Sequence, residues 1–203
     1  LEEIKQAVDY AHDRGVKIYV TVNVYARNDE QQFIAAYLEK LGAVGPDGVI
    51  VADPGIFITA RELMPHIPLH LSTQANSTNY KTVEFWKRLG IRRVNVAREL
   101  TLAEIKAIGE QTQIEIEAFV HGAMCIAYSG RCLLSSFMAN RHSNRGMCAH
   151  PCRWKYALVE ETRAGHYMPI AEDDRGTHIF NSKDLCMIEH IPAMINSSVS
   201  TLK

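Results

Sequence analysis

Two hydrophobic periods alternate along residues 1–120 and predict the local structure of this part of the chain. Continuous runs rich in Val and Ile predict buried strands, and these runs begin near Lys17, Gly48, Leu69, Arg92 and Ile114. Apolar residues spaced three or four apart predict amphipathic helices between the strands, over residues 29–41, 56–66, 80–89 and 101–110. Strands separated by helices of this length are typical of right-handed βαβ units, so we expect an α/β fold with a parallel sheet.

The number of strand–helix units favours a barrel over an open sheet. Four complete units and a fifth strand lie within residues 1–120, and no Gly-rich phosphate-binding loop follows any of these strands. A (β/α)8 barrel takes about 250 residues, and the chain begins at Leu1 within a predicted helix. We therefore expect a partial TIM-like barrel from an internal fragment of a longer protein. An open flavodoxin-like sheet is the alternative.

Polar side chains follow several of the predicted strands, at the edge where both architectures bind ligands. They are Asn23, Asp53, Ser72, Thr73, Gln74, Asn76, Arg98, Glu99, Glu117 and His121. Any one of them taken alone is better explained as a helix cap or a solvated loop residue. Their convergence at one rim predicts a pocket.

The composition is that of a folded globular chain, since 47% of the 203 residues are hydrophobic and 22% are charged. The formal net charge of -1 excludes a general polyanion binder, so any contact with nucleic acid requires a local basic surface. No apolar run approaches the roughly 18 to 20 residues of a membrane span, and no basic and then apolar leader begins the chain. We therefore expect a cytoplasmic protein without membrane contact.

The composition changes after Val120. No Asp or Glu occurs between Ala118 and Val159, whereas five basic residues do: Arg131, Arg141, Arg145, Arg153 and Lys155. The compensating acids follow in a segment with several β-rich stretches. The predicted divisions are a partial barrel (1–120), a Cys-rich segment (121–157), a small β-rich insertion (158–183), and a return helix with the start of the next strand (184–203).

The five cysteines all lie in the C-terminal part of the chain. Cys125 and Cys132 form a C-x6-C pair, Cys148 and Cys152 form a C-x3-C pair, and Cys186 stands apart. Four clustered thiolates suit a structural zinc or an iron-sulfur cluster, although the pairs lack the C-x2-C spacing of common zinc knuckles. A redox pair, a catalytic thiol and ordinary buried thiols are the alternatives.

The cysteines belong to motifs that resemble a known family. Residues 117–135, EAFVHGAMCIAYSGRCLLS, resemble the defining motif of peptidase family U32 without a gap. Further similarities are STQAN (72–76), AREL (97–100), NRGMCAHPCRW (144–154) and NSKDL (181–185). The resemblance therefore covers essentially the whole chain.

This resemblance implies a chemistry that spacing alone does not. Members are named proteases or collagenases, but the better understood branches act in RNA modification and quinone hydroxylation with a four-iron, four-sulfur cluster. The motifs are most similar to those of the branch that hydroxylates the wobble uridine of tRNA to 5-hydroxyuridine with prephenate as co-substrate. The resemblance implies tRNA as partner, and it allows a homo-oligomer or a hetero-oligomer with a paralogous subunit.

The family's cluster ligands correspond here to Cys125, Cys132, Cys148 and Cys152. Cys186 departs from the pattern and is interpreted as a reserve ligand or a buried thiol. The candidate catalytic residues are Glu117 and His121, at the end of the fifth predicted strand, where inward side chains of a barrel face the ligand. An ion pair between Glu117 and a barrel arginine such as Arg98 is the structural alternative. The candidate substrate-binding residues are Asn23, Gln74, Arg98 and Arg131.

Two other functions compete with RNA hydroxylation. A U32 peptidase would use Cys125 as nucleophile with His121 as base, because the chain contains neither an HExxH zinc site nor a GxSxG elbow. A non-catalytic assembly subunit is the third class. RNA contact is favoured by basic residues beside aromatic ones that stack unpaired bases, namely Tyr128, Trp154 and Tyr156, although the same residues are compatible with charge balance and core packing.

Overall fold

The structure is a computed structural model, and it describes residues 1–154, Gly165, 171–173, 176–178 and 184–203. Six of its strands form one parallel sheet: β1 (Tyr19–Val22), β2 (Gly48–Val51), β3 (Leu69–Leu71), β4 (Arg93–Asn95), β5 (Glu115–Ala118) and β10 (Val199–Leu202). The five α-helices of residues 1–120 are α1 (Glu2–His12), α2 (Gln31–Val44), α3 (Pro54–Leu63), α4 (Tyr80–Arg88) and α5 (Leu102–Thr112). The predicted α/β fold with a parallel sheet is confirmed.

The strands follow one another across the sheet in chain order, β1-β2-β3-β4-β5-β10. The flavodoxin-like alternative requires the order to reverse at one point, and no reversal occurs among the described strands. The sheet is open in the part of the chain that the structure describes, with β1 and β10 at its two edges. The architecture is therefore a sequentially wound α/β sheet.

The hydrophobic core lies between one face of the sheet and the helices. Val51, Leu71, Val94 and Ile116 are neighbours across four strands and are fully buried. They belong to one apolar cluster with side chains from α2, α3, α4 and α5, such as Phe57. Each such side chain stabilises the fold by roughly 1.5 to 3 kcal/mol. The helix-facing side of the sheet is thus the apolar one.

Between β5 and β10 the chain forms smaller elements: β6 (His121–Ala123), α6 (Leu134–Ala139), β7 (Ala171–Asp173), β8 (Gly176–His178), β9 (Asp184–Cys186) and α7 (Ile191–Ile195). β6 pairs antiparallel with β9, and β7 with β8. Most of the predicted β-rich insertion, together with Lys155 and Tyr156, lies outside the described residues.

The run IEIEAFVHG, predicted as a single strand, is divided into β5 and β6. The break occurs at Val120, whose N–H donates to the carbonyl of Lys203 and whose carbonyl accepts from the N–H of Met187, both at 2.8 Å. These two bonds direct the chain out of the parallel sheet and towards β9. The local sequence pattern did not reveal the break, because the two bonds come from segments that are distant in sequence.

No helix among the described residues is both long and apolar enough to cross a membrane.

Candidate active site lined by cysteines

Four of the five cysteines line one cavity of about 290 Å³. Cys125 follows β6, Cys132 precedes α6, and Cys148 and Cys152 lie in the loop after α6. Cys186 is exposed in β9 and does not line this cavity. The wall also includes residues that follow β1, β3 and β4, namely Asn23, Thr73, Gln74 and Arg98. The predicted pocket at the carboxyl ends of the strands therefore contains the predicted cysteine set.

The cysteine loop is anchored to the rim at Ser129 and Gly130. The backbone N–H of the buried Ser129 donates to one oxygen of the Glu99 carboxylate at 2.6 Å, and its hydroxyl donates to the other at 3.2 Å. Gly130 has a φ of 75°, and a Cβ atom there would lie 2.0 Å from the carbonyl oxygen of Gln74. Only glycine permits this approach of the loop to the rim.

Tyr25, which follows β1, stabilises the same contact between the cysteine loop and the rim. Its hydroxyl lies 2.6 Å from the carbonyl oxygen of Gln74 and 3.3 Å from that of Gly130. Burial raises the pKa of Tyr25, so the phenol remains a hydrogen-bond donor at neutral pH. The rim and the loop are therefore joined by a neutral, partly buried bond.

The loop after α6 is fixed by hydrogen bonds from serine side chains. The Ser143 hydroxyl donates to the carbonyl of Cys132 at 2.7 Å, and the hydroxyl of the buried Ser135 accepts from the N–H of Ala149 at 3.0 Å. His150 adopts a left-handed backbone with a φ of 52° immediately before the turn that contains Cys152. These contacts place both cysteine pairs on one cavity.

The thiols are close enough to influence one another. Burial raises the pKa of Cys152, and the neighbouring Cys148, Cys125 and Cys132 raise it further. The Arg153 guanidinium acts in the opposite direction. The raised pKa favours the protonated thiol of Cys152 unless positive charge lies beside it.

Among the described residues, no three or more His, Cys, Asp or Glu side chains are grouped so as to hold a metal ion. Tetrahedral zinc needs four sulfur atoms at about 2.3 Å from one centre. A polynuclear cluster accepts thiolates that are farther apart, because each binds a different iron.

Arg98 is the positively charged side chain that follows β4 at the rim of the cavity. Its guanidinium lies 5.6 Å from the centre of the Phe119 ring, and its hydrogen bonds to Ser129 and to the carbonyl of Ala123 are both 3.5 Å long. It forms no ion pair within the described part of the chain. None of the described residues that line the cavity is Asp or Glu. Arg98 thus presents a positive charge to a wall without acids.

Other predicted rim residues have local structural roles. Asp53 caps α3, because its carboxylate accepts the N–H of Ile56 at 3.0 Å. The Ser72 hydroxyl accepts from the N–H of Gln74 at 3.3 Å and from the side-chain amide of Asn23 at 3.0 Å. The capping explanation therefore accounts for Asp53, whereas Asn23 and Gln74 line the cavity. Arg131 is exposed and does not line it.

Glu117 lies in β5, on the face of the sheet opposite the helices. It is 6% exposed, and its carboxylate accepts from the amide of Asn95 at 3.0 Å and from the ammonium of Lys203 at 3.0 Å. Arg93 lies 3.8 Å away. The basic partners of Glu117 are thus Arg93 and Lys203, not Arg98. Glu117 does not line the cysteine cavity, and its predicted catalytic role stays a prediction.

His121 is exposed in β6, where it is paired with Cys186 of β9. It does not line the cysteine cavity, and no hydrogen bond joins it to Cys125 within the described residues. A nucleophile and its base require such a bond or a close approach. The role of His121 in catalysis also stays a prediction.

The polar face of the sheet, on the side opposite the helices and here called the inner face, includes residues that the sequence interpretation missed. His70 is 4% exposed, and burial together with the Arg93 guanidinium lowers the pKa of His70 to about 4. The side-chain oxygen Oδ1 of Asn95 and the Nδ1 atom of His70 are buried without a hydrogen-bond partner among the described residues. Polar residues at every second position of β4 and β5, such as Glu115 and Glu117, were the available signal.

Two of the basic residues after Val120 connect the Cys-rich segment to other elements. The Arg145 guanidinium is paired with both carboxylate oxygens of Glu30, and Arg153 lies 2.5 Å from the carboxylate of Asp184. These arginines therefore hold the Cys-rich segment to other elements of the fold. The acidic partners were not predicted because they are distant in sequence.

Comparisons with known proteins agree with the motifs. The family model for peptidase family U32 matches residues 1–203. The chain is 46% identical to tRNA hydroxylation protein P1 of Bacillus subtilis (strain 168), over all of this chain and 48% of that protein. It is 38% identical to tRNA hydroxylation protein P of Escherichia coli (strain K12), over all of this chain and 53% of that protein.

A solved structure of a U32 peptidase has a similar fold, with a TM-score of 0.50 and 23% sequence identity over 61% of this chain and 53% of the other. The chain spans about half the length of the curated relatives described above.

Proposed function

The chain belongs to peptidase family U32, and from that premise we propose that the protein containing it hydroxylates a uridine of tRNA, with 5-hydroxyuridine at the wobble position as the product. The observation that carries the proposal is the convergence of four cysteines on one cavity at the carboxyl ends of the strands. Relatives that match the whole chain are named tRNA hydroxylation proteins. The peptidase activity in the family's name has less support from the geometry.

The four cavity cysteines are proposed to hold one four-iron, four-sulfur cluster. Their number gives one thiolate to each iron, the donor set is entirely sulfur, and the wall offers no carboxylate among its described residues that would favour a harder metal. Cys186 lies outside the cavity and is not assigned as a ligand. When bound, such a cluster supplies one-electron transfer beside the substrate.

The residues of the rim are proposed to bind and orient the substrates. Gln74 lines the cavity, and its side-chain oxygen is buried without a partner in the described structure, so it can accept the N–H of a uracil ring. Arg98 faces the cavity without an acidic partner among the described residues and suits an anionic group, either an RNA phosphate or a carboxylate of prephenate, the co-substrate that family resemblance implies. Asn23 and Arg131 are proposed as further contacts.

Glu117 and His121 are proposed to support the site from the end of β5 and from β6. The Glu117 carboxylate accepts hydrogen bonds from Asn95 and Lys203 beneath the rim, so it can fix the positions of these two side chains below the bound substrate. This arrangement assigns it a positioning role through hydrogen bonds. His121 is proposed to act at the outer edge of the same region, next to β9.

The sheet is proposed to be part of a (β/α)8 barrel. The six strands of the main sheet lie side by side in chain order, all of them are parallel, and the helices cover the apolar face. A barrel encloses the other face, which here contains His70, Arg93 and Glu117. Closure would surround these charged groups and leave the cysteine cavity at the rim.

A test of the function is the analysis of tRNA nucleosides from cells that lack the gene. Complementation with the wild-type gene or with Cys186→Ala should restore 5-hydroxyuridine and its derivatives, whereas Cys125→Ala should not. Mass spectrometry of the digested tRNA measures the result. Normal 5-hydroxyuridine in the deletion strain, combined with thiol-dependent cleavage of a protein substrate by the pure enzyme, would favour the peptidase instead.

A further inference from the structure

A second cavity adjoins the cysteine cavity and has a volume of about 230 Å³. Cys132 and Asn144 line both cavities, so the two spaces share a wall. The other residues that line the second cavity are Tyr25, Ala26, Arg27, Leu133, Ser136, His142 and Arg145. Two adjoining cavities of this kind suit a ligand that extends from one to the other.

The short helix α6 separates the two spaces. Leu134 lines the cysteine cavity, whereas Leu133 and Ser136 line the second cavity. Leu133, immediately before α6, is 71% exposed, and Phe137, four residues later within α6, is 89% exposed. An exposed aromatic ring such as that of Phe137 provides a surface on which an unpaired base can stack.

The second cavity is basic. Arg27, His142 and Arg145 contribute to its wall, and none of the described residues that line it is Asp or Glu. The Glu30 carboxylate is paired at both oxygens with Arg145 and also accepts the backbone N–H of Arg27 at 2.9 Å. The hydrogen bond from Arg145 lowers the pKa of the Glu30 carboxyl, and the charge of the exposed Arg27 contributes to this shift. An exposed guanidinium at such a wall suits a phosphate oxygen.

We propose that the second cavity binds the nucleotide next to the target uridine, with its phosphate at Arg27 and its base against Leu133 and Phe137. This inference rests on the proposed function, because it takes the cysteine cavity as the site of the target base. It adds a binding site that positions the RNA without contacting the reacting atoms. Single-stranded loops are recognised in this way, since their bases separate and their backbone follows basic residues.

The test is a double-mutant cycle between Arg27 and a single phosphate of the RNA. The protein is the full-length, cluster-loaded enzyme, and the probe is a fluorescent anticodon stem-loop RNA with the target uridine. In a second and a third probe, an uncharged methylphosphonate replaces the phosphate on the 5′ or the 3′ side of that uridine. Fluorescence anisotropy gives the dissociation constants for the wild type and Arg27→Gln over a range of salt concentrations.

We expect Arg27→Gln to weaken binding of the unmodified probe about fivefold to tenfold. It should also reduce the slope of the logarithm of the binding constant against the logarithm of the salt concentration by roughly 0.7, the value for one phosphate contact with a single strand. One of the two methylphosphonates should weaken wild-type binding by a similar factor but should not weaken Arg27→Gln further. The matched control is Arg14→Gln, an exposed arginine between α1 and β1 at the other end of the sheet, which should bind as the wild type does.

The proposal would be overturned if the loss of affinity from Arg27→Gln and the loss from each methylphosphonate were additive. It would also be overturned if Arg14→Gln lost as much affinity as Arg27→Gln. Iron content and melting temperature distinguish a misfolded variant from a lost contact. A wild-type enzyme that restores 5-hydroxyuridine in cells but shows no coupling to Arg27 would leave the proposed function intact and reject only the second cavity. A wild-type enzyme that neither binds the probe nor restores the nucleoside would reject both.

Discussion

Gly130 shows how a single residue sets the geometry of the cysteine loop. Its backbone has a φ of 75°, and the carbonyl of Gln74 occupies the space that a Cβ atom would need. Gly146 has the same φ, but no other atom lies within 4 Å of the place that its Cβ would take, so this position isolates the backbone effect. The difference between the two sites is the contact with the rim.

We predict that Gly130→Ala displaces the cysteine loop and lowers the iron content of the full-length protein to less than half. Gly146→Ala should retain the iron and cost about 1 to 2 kcal/mol in stability, because it has only the left-handed backbone to accommodate. Iron analysis together with denaturant unfolding measures both effects. Equal iron contents in the two variants would contradict the proposed contact.

Protonation of His70, on the inner face of the sheet, makes the stability of the fold depend on pH. The pKa of His70 is about 4 in the folded chain because the ring is buried and lies near Arg93, whereas an unfolded histidine has a pKa of about 6.5. The unfolded state therefore binds the additional proton between these values. Stability from this group is complete above pH 6.5 and is lost as the pH falls towards 4.

We predict that the full-length wild type loses roughly 2 kcal/mol more stability than His70→Asn between pH 6.5 and pH 4. Urea unfolding at several pH values measures this difference. His190→Asn, at an exposed position before α7, is the control and should follow the wild type. If His70→Asn has the same pH dependence as the wild type, the ring does not titrate as its surroundings indicate.

The elements around the cysteines are held by contacts between distant parts of the chain. The loop that contains Ser129 is joined to Glu99 after β4, and the loop that precedes α2 is joined to Arg145 through Glu30. α5 begins with its own capping box, in which Thr101 and Glu104 bond to one another. Glu99 and Glu104 are therefore close in sequence but support different parts of the molecule.

We predict that Glu99→Gln increases the rate at which a chelator removes iron from the full-length protein by about an order of magnitude, because it loses one charged acceptor of the Ser129 loop, worth roughly 1 to 3 kcal/mol. Glu104→Gln should cost a similar or smaller amount of stability without changing that rate. Absorbance during chelation measures the loss of iron. Identical rates in the two variants would show that the bond to Ser129 does not hold the site.

The strands and helices of residues 1–120 could be predicted because their hydrophobic periods are local properties of the sequence. The five predicted strand starts lie within two residues of the observed ones. The division at Val120 could not be predicted, since it depends on bonds to Met187 and Lys203 from distant segments. Distant partners also explain why the ion pair between Arg145 and Glu30 was missed.

The candidate site was predictable to a similar extent. The grouping of the cavity cysteines followed from their spacing and the family motifs, and the rim positions of Asn23, Gln74 and Arg98 followed from the strand ends. The second cavity was not predicted, because Arg27 and Cys132 meet only in the folded chain. Glu117 was predicted at a strand end, but its contacts with Arg93 and Lys203 depend on the register of neighbouring strands.

The whole molecule combines an apolar helix-facing side, a charged inner face and a cysteine cavity at one end of the sheet. Parallel strands bring their carboxyl ends to the same edge, so segments separated along the sequence contribute to one site. The inner face contains Glu117 with two basic neighbours, Arg93 and Lys203, and is therefore charge-compensated. The cavity above it contains no acid among its described lining residues, which suits thiolates and an RNA substrate.

The most direct test of the account is the iron and acid-labile sulfide content of the full-length protein after anaerobic purification. The wild type and Cys186→Ala should each contain about four irons and four sulfides per chain and the visible absorbance of a cluster. Replacing any of Cys125, Cys132, Cys148 or Cys152 by Ala should remove both. Stoichiometric zinc without iron would contradict the account, and so would a Cys186→Ala variant that loses the cluster while Cys152→Ala retains it.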